Sequence, residues 1–326
     1  MLTGIQAKRN LVIVVCPNPC VEVTLFVSRI QQGLNEEIQA IREPGGKGTN
    51  VSRILHTLRV PVVLLGFIGG YRGRYICKSL TNEAVKFRLL NHISETRCSY
   101  VIIDKNSKQT MIFRERGQPV TKHGKKRLLS ILNKYLRRSS LLCLSGSLPP
   151  GLPPTFYAEI CAAARKLRVR TLVDCSGATL LETLRARPYL IKPNLDEAEE
   201  VLGKRLKSDV ARVDAMYKLQ SLGAQNVLLS LGARGALALL EGVVYRVRVP
   251  TVPVLNPVGA GDALLAGLIW SFDQVTSWKQ RLQHSCAVAV ASTRMPSSGR
   301  IAVSGLKRYI SQVRVSSQLQ RGRWSG

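Results

Sequence analysis

Four short segments carry the residue types that chemistry needs. In Asn256-Pro257-Val258-Gly259-Ala260-Gly261-Asp262, three successive residues, Gly259, Ala260 and Gly261, lead straight into an apolar helix over Ala263–Phe272. Their backbone N–H groups can form an anion hole, because a helix N-terminus favours negative charge. A phosphoryl group in transfer spreads negative charge over its oxygens, and such donors stabilise it. Asp262, beside them, can accept the proton of an attacking hydroxyl. The plain alternative is an N-cap aspartate after a glycine turn. Pro44-Gly45-Gly46-Lys47-Gly48-Thr49-Asn50 also opens a helix, with glycines that let a ligand approach the backbone. It is not a Walker A loop, which would need Gly where Ile41 stands and Ser or Thr where Gly48 stands. A strand-to-helix turn with a solvated Lys47 is its alternative.

In Lys192-Pro193-Asn194-Leu195-Asp196-Glu197, Asn194 and Glu197 share one face at a helix start. Their oxygens suit hydrated Mg²⁺ and the phosphates it bridges. A capping box has the same spacing, and both readings can hold together. Ser230-Leu231-Gly232-Ala233-Arg234-Gly235 follows a strand; its glycines suit either the side of a nucleotide or an ordinary tight turn. Gly66-Phe67-Ile68-Gly69-Gly70 is weaker, because it lacks the spacing of a dinucleotide loop.

Apolar runs alternating with helical patterns supply the elements that must position these segments. Leu11–Cys16, Val60–Phe67, Leu141–Leu144, Arg170–Asp174 and Val227–Leu231 read as strands. Asn50–Leu58, Thr155–Leu167, Leu195–Leu202, Val213–Leu222 and Gly261–Phe272 read as helices. Strands separated by helices of this length imply βαβ units and a parallel sheet, whose ligands bind at the carboxyl ends of the strands. Val21–Arg42 and Thr96–Phe113 break the rhythm with period-2 alternation. Val101–Asp104 and Gln109–Phe113, joined by Lys105-Asn106-Ser107-Lys108, read as a hairpin, and the two stretches predict a small antiparallel sheet apart from the main body.

The chain has 326 residues, 45% hydrophobic and 21% charged, enough apolar matter for one large domain or two ordinary ones. No apolar run approaches the roughly 18 residues of a membrane span, and Leu11–Cys16 is too short for a signal-peptide core. Membrane insertion and classical secretion are therefore poor readings. Forty-eight Lys and Arg against twenty Asp and Glu give +28, a field that attracts anions, although a basic surface without a partner accounts for it equally. None of the eight cysteines forms a C-x-x-C pair, and most sit in apolar runs. They read as small buried hydrophobes in a reducing compartment.

Taken together, in this order and spacing, the segments resemble the PfkB branch of the ribokinase-like carbohydrate kinases. The resemblance runs from about Val12 to about residue 310, and Ser145-Gly146-Ser147-Leu148-Pro149-Pro150-Gly151 supports it. Asn18-Pro19-Cys20-Val21-Glu22-Val23-Thr24-Leu25, the pair Thr96-Arg97, and Asn256-Pro257 before the glycines resemble the hexose-phosphate kinases of that family: 1-phosphofructokinase, minor 6-phosphofructokinase and tagatose-6-phosphate kinase. The resemblance implies a single α/β domain over residues 1–326, a doubly wound, mostly parallel sheet with a small β lid from about 21–42 and 96–113, and a basic tail at 308–326. It implies a cytoplasmic enzyme that uses ATP and Mg²⁺ on a hexose phosphate. Asp262 would be the base and residues 259–261 the anion hole. Gly46, Lys47 and Arg97 would hold the phosphate already on the sugar, and Glu22, Asn50 and Ser145 its hydroxyls. ATP would lie along Ser230, Gly232 and Gly235 and near Gln280–Ser292, with Lys192 touching phosphate and Asn194 and Glu197 at Mg²⁺. Pairing of two lids in a homodimer is a further expectation, since exposed sheets invite pairing.

Glu22 departs from the family, which has Asp there; one methylene longer, it keeps a substrate contact only if the lid shifts. That departure and the charge leave a second reading open, a kinase-like scaffold binding nucleic acid or an acidic partner.

Overall fold

The computed structural model describes residues 11–35, 38–107 and 109–318. The first half contains β1 (Leu11–Cys16), β2 (Cys20–Val27), β3 (Gln39–Gly45), α1 (Lys47–Thr57), β4 (Val62–Ile68), α2 (Gly70–Asn82), β5 (Phe87–Asn91), β6 (Arg97–Asp104), β7 (Thr110–Arg114), α3 (Lys122–Leu136), β8 (Ser139–Ser145) and α4 (Phe156–Lys166). The second half contains β9 (Arg170–Asp174), α5 (Gly177–Arg185), β10 (Leu190–Ile191), α6 (Leu195–Leu202), α7 (Asp209–Ser221), β11 (Asn226–Ser230), β12 (Ala236–Leu240), β13 (Val243–Arg248), α8 (Ala260–Ser271), α9 (Trp278–Thr293), α10 (Leu306–Gln312) and β14 (Arg314–Gln318).

The main sheet has ten strands in the order β14-β13-β12-β11-β10-β9-β8-β1-β4-β5. It is parallel from β5 to β11, as the alternation of strands and helices predicts, and antiparallel from β11 to β14. From β1 the chain runs outward through β4 and β5, then returns to start the other half at β8. The crevice beyond the carboxyl ends of β1 and β8 is therefore the switch point where such sheets bind ligands.

Helices cover both faces, which is why β1 reads as an unbroken apolar run rather than an alternating one. Val12, Val14 and Cys16 pack on one face with Ile54 and Leu55 of α1, Leu264 of α8 and Leu282 of α9. Ile13 and Val15 pack on the other with Leu128, Phe156, Leu180 and Met216. Each such side chain contributes about 1.5–3 kcal/mol by leaving water. Helix α8 is apolar all round and sits within the fold. A Cβ on its Gly267 would stand 2.8 Å from Val288 Cβ of α9, so even alanine would push the two helices apart.

The lid is a second sheet, β3-β2-β6-β7. Its hairpin β6–β7 is antiparallel as expected, but β2 and β6 pair in parallel, because the crossover between them passes through the main sheet. Lys108, read as part of that turn, lies outside the described residues. Of the basic tail expected over 308–326, residues 308–318 fall in α10 and the edge strand β14, whose Val315 pairs with Val247, and residues 319–326 lie outside the described residues. Helices α2 and α3 were not read from the sequence; Gly70, Gly73 and Gly124 dilute their periodicity. Among the described residues, no helix is long and apolar enough to cross a membrane.

Candidate active site

The glycine turn before α8 is built as its residues dictate. Asn256 Oδ1 accepts from the Val258 N–H at 2.9 Å, and Gly259 takes φ 84° at the helix N-cap. The first N–H groups of α8 have no intrahelical carbonyl to reach and line the cradle. Asp262 lies in that first turn, 6% exposed, and accepts a hydrogen bond from Asn50 Nδ2 at 2.8 Å. Lys192 closes the other side: its Nζ would stand 3.3 Å from a Cβ on Gly261. Burial pushes the Asp262 carboxyl up, nearby Asp174 pushes it further, and Lys47 and Asn50 oppose them; the outcome is about 7.

Asp174 was missed in the sequence. It ends β9 at the carboxyl edge of the sheet, the position that should have marked it. Its side chain is 1% exposed and lies between two ammonium groups, Lys47 Nζ at 2.9 Å from Oδ1 and Lys192 Nζ at 3.1 Å from Oδ2. Burial alone would raise its pKa; the two lysines reverse that and hold it below the usual value. Lys47 also donates to Glu197 Oε1 at 2.7 Å. Burial works against its charge, but Asp174, Glu197 and Asp262 more than offset that and hold it above the usual lysine range. Gly46, at φ 98°, makes this placement: a Cβ there would stand 3.1 Å from Pro19 Cα.

Asn194 and Glu197 form the capping box, with Glu197 N–H donating to Asn194 Oδ1 at 2.7 Å and Asn194 N–H to Glu197 Oε2 at 2.9 Å. The other oxygen of Glu197 faces Lys47, so the cap and the charged centre share one carboxylate. Asn194 bridges to Ser230, which brings the Gly232–Gly235 turn beside it. That turn is also a tight structural one: a Cβ on Gly235 would lie 2.1 Å from Val247 O. Among the described residues no group of three or more His, Cys, Asp or Glu side chains is placed to hold a metal. Two carboxylates, Asp174 and Glu197, do face the crevice around Lys47.

Lys47 and Arg97 do not pair on a common point. Arg97 Nε and Nη2 donate to Asn18 O at 3.2 and 3.1 Å, and Nη1 donates to Glu115 O at 3.2 Å. It borders a cavity of about 250 Å³ with Arg72, Thr96, Glu115 and Arg116. The Asn18-Pro19 loop joins the two regions, since it accepts from Arg97 and packs on Gly46. Ser145 ends β8 at the switch point, and its Oγ is buried without a hydrogen-bond partner. An unmade buried hydrogen bond costs about 1–3 kcal/mol, which a ligand hydroxyl would recover. Glu22, 5% exposed, turns toward the last loop of the fold and accepts from Ser298 Oγ. Burial raises its pKa, and Ser298, Arg114 and Arg53 oppose the rise. Ser298 carries no motif and was not singled out.

A cradle of backbone amides, a buried carboxylate and paired lysines thus meet at one switch point. The family model of pfkB family carbohydrate kinases matches residues 10–302. The chain belongs to that family. The kinase is also similar to solved structures over most of its length. A possible 1-phosphofructokinase of Thermotoga maritima is 25% identical at TM-score 0.86, covering 94% of this chain and 99% of that one. A candidate phosphofructokinase of Staphylococcus aureus is 27% identical at TM-score 0.77, covering 95% and 100%. Phosphofructokinase-2 of Escherichia coli, solved with fructose-6-phosphate, is 23% identical at TM-score 0.80 over 92% and 98%, and shares the fold.

Proposed function

We propose that this kinase moves the γ-phosphoryl group of ATP to a hydroxyl of a ketohexose phosphate, fructose 1-phosphate, fructose 6-phosphate or tagatose 6-phosphate, giving a bisphosphate. The observation that carries the reading is Asp262, buried at the mouth of the 259–261 cradle and pushed to about 7. A base so tuned accepts the hydroxyl proton near neutral pH. The freed oxygen attacks the γ-phosphorus, the bond to the β–γ bridging oxygen breaks, and ADP leaves. The amides of residues 259–261 and Lys192 hold the charge that develops on the phosphoryl oxygens. Asp174 and Glu197 are the carboxylates that would hold Mg²⁺, which when bound would supply positive charge to the nucleotide phosphates. Ser230, Gly232 and Gly235 flank the nucleotide, as Asn194 beside them indicates.

At the acceptor end, three of the five guanidinium N–H groups of Arg97 fix it to carbonyls and two remain for a phosphate. Lys47 serves the phosphates between donor and acceptor, and Asn50 and the unpartnered Ser145 hydroxyl meet the sugar. The lid offers a pairing surface for a homodimer: Met111, Ile112 and Phe113 on edge strand β7 are 45%, 40% and 54% exposed. The scaffold alternative is not favoured, because a buried carboxylate, the amide cradle and both lysines lie together, where a decayed kinase site would lose one of them.

The test is an ADP-release assay with the three ketohexose phosphates and their unphosphorylated sugars. One phosphorylated sugar should exceed every bare sugar in kcat/KM by at least about 10²-fold, the size expected for a fully used charge contact. Equal turnover of bare sugars would refute the sugar-phosphate assignment. Sedimentation at micromolar protein should give a dimer mass; a monomer there would remove the lid-pairing proposal.

A further inference from the structure

The cavity beside Arg97 offers more hydrogen-bond donors than the protein's own acceptors use. It holds about 250 Å³, and its lining includes two acids, Glu95 and Glu115, and three arginines, Arg72, Arg97 and Arg116. Donors of the fold already hold both acids. Glu95 accepts from the Tyr71 and Arg72 N–H groups at the start of α2, at 3.2 and 3.0 Å, and from the Thr96 N–H at 3.0 Å. Glu115 Oε2 accepts from Arg72 Nη1 at 3.0 Å and from the Cys98 N–H at 2.8 Å. Arg72 thus has its counter-charge. Arg97 keeps two N–H groups after its bonds to Asn18 O and Glu115 O. Arg116 is exposed, and among the described residues its guanidinium makes no hydrogen bond or ion pair.

The backbone fixes where Arg116 stands. The pairing of β6 with β7 sets Ser99 against Arg114, and the Glu115 N–H carries it one step further, to Cys98 O at 3.1 Å. Arg116 follows opposite Arg97, on the lid face that also carries Glu22 and Ser99. Asn18 holds both arginines: its carbonyl accepts from Arg97, and its Nδ2 donates to Arg116 O at 3.2 Å and to Ser147 Oγ at 3.3 Å. Ser147 lies in the loop after β8, so the pair borders the switch point. Gly117, at φ 92°, permits this approach: a Cβ there would stand 2.6 Å from Asn18 Oδ1. Like charges opposite one another on paired strands repel, and a dianion between them reverses the sign. A phosphate monoester brings that charge with several acceptor oxygens, which the planar guanidinium matches two at a time. We propose that Arg116 is a specificity-determining residue: with Arg97 it binds the phosphate already on the sugar, and so selects phosphorylated over bare acceptors. This deepens the sugar-phosphate kinase reading and rests on it.

The experiment compares wild type, R116A, R116Q and R114A in steady-state kinetics, with the hexose phosphate that wild type prefers and with the corresponding bare sugar. R116A and R116Q should each raise KM for the sugar phosphate about 10–100-fold, the size of a lost hydrogen bond to a charged group, with kcat and KM for ATP within about threefold of wild type. On the bare sugar, kcat/KM should stay within about threefold, so the preference for the phosphorylated acceptor shrinks by about the same 10–100-fold. Arg114 is the control. It is exposed on the same lid face, opposite Ser99, but does not line the cavity. R114A removes an equal charge from the same sheet and should stay within about threefold of wild type on both acceptors, because a solvated charge without a direct contact contributes little. Three results would overturn the proposal: an unchanged KM for the sugar phosphate in R116A, an equal loss in R114A, which would reduce the effect to the general field of the lid, or an equal loss on the bare sugar. If R116A does not fold, R116Q decides by the same readings. A wild type that favours no phosphorylated sugar over its bare counterpart overturns the sugar-phosphate reading and this proposal with it; a wild-type preference that survives R116A overturns this proposal alone.

Discussion

Two charged clusters lie on either side of Asn50 and Arg53 in helix α1, and they are built on different rules. In one, Arg53 and Arg300 meet Glu43 and Glu83, two cations with two anions. Arg53, 1% exposed, reaches Glu83 Oε1 at 2.8 Å, and Arg300 reaches both acids at 3.0 Å. Every charge there has an opposite one, and the cluster joins β3, α1, the end of α2 and the loop at Arg300. In the other, Asp174 and Glu197 take up Lys47 and Lys192, and among the described residues Asp262 accepts a side-chain hydrogen bond from the amide of Asn50 alone. The first cluster is a clamp. The second leaves one carboxylate short of a cation; burial raises its proton affinity, and nearby Asp174 raises it further than the two lysines can offset. Comparing the two teaches that burial of charge does not by itself mark a reactive site; imbalance does.

The sharpest way to break the contrast is to remove the unbalanced carboxylate. Asp262→Asn should lower kcat about 10²–10⁴-fold, the usual contribution of a general base, with KM for both substrates little changed. Initial rates with the preferred sugar phosphate measure it, and a variant with normal turnover would remove Asp262 as the base. In wild type, the acid limb of kcat/KM should fall as pH drops through about 7, where Asp262 takes up its proton.

The same substitution should act in the opposite direction on stability. Because the folded state raises this carboxyl, Asp262 gives its full stabilising contribution below the unfolded pKa, near 4. That contribution is lost as pH rises toward and through about 7. Asp262→Asn should therefore be more stable than wild type at pH 8, by up to about 4 kcal/mol, and match it near pH 4. Urea unfolding at both pH values measures the difference; a variant less stable than wild type at pH 8 would contradict the imbalance.

Opening the balanced cluster should have the reverse sign. Arg53→Ala strands Glu43 and Glu83 with one shared partner. It should cost about 2–3 kcal/mol, less than a fully buried broken pair because both acids are partly exposed. The loss should be nearly the same at pH 7 and pH 8, unlike that of Asp262. A urea midpoint unchanged from wild type would show that the clamp is decorative.

Much of the scaffold was legible because it depends on near neighbours. The apolar run of β1, the strand at Arg170–Asp174 and the helix after Gly261 were each placed within a few residues. The capping box at Asn194 and Glu197 was readable from spacing alone, and so was the β6–β7 hairpin. The parallel pairing of β2 with β6 was not, since alternation says which face a residue takes and nothing about the direction of its neighbour. Asp174 was half legible, at the end of a recognised strand but without a glycine motif beside it. Ser298 gave no signal, and its hydrogen bond to Glu22 could not be seen from residues 276 apart.

The sequence by itself determined where the glycine turns before α1 and α8 lie, where α6 begins at its capping box, and that a run of amides precedes a carboxylate, because these are matters of backbone sterics and of partners a few residues apart. Only the tertiary structure decided which charges meet. Lys47 finds Asp174 across 127 residues, and Glu22 finds Ser298 across 276. Hydrogen bonds and buried ion pairs act over about 3 Å, so they follow the order of strands in the sheet rather than the order of residues in the chain.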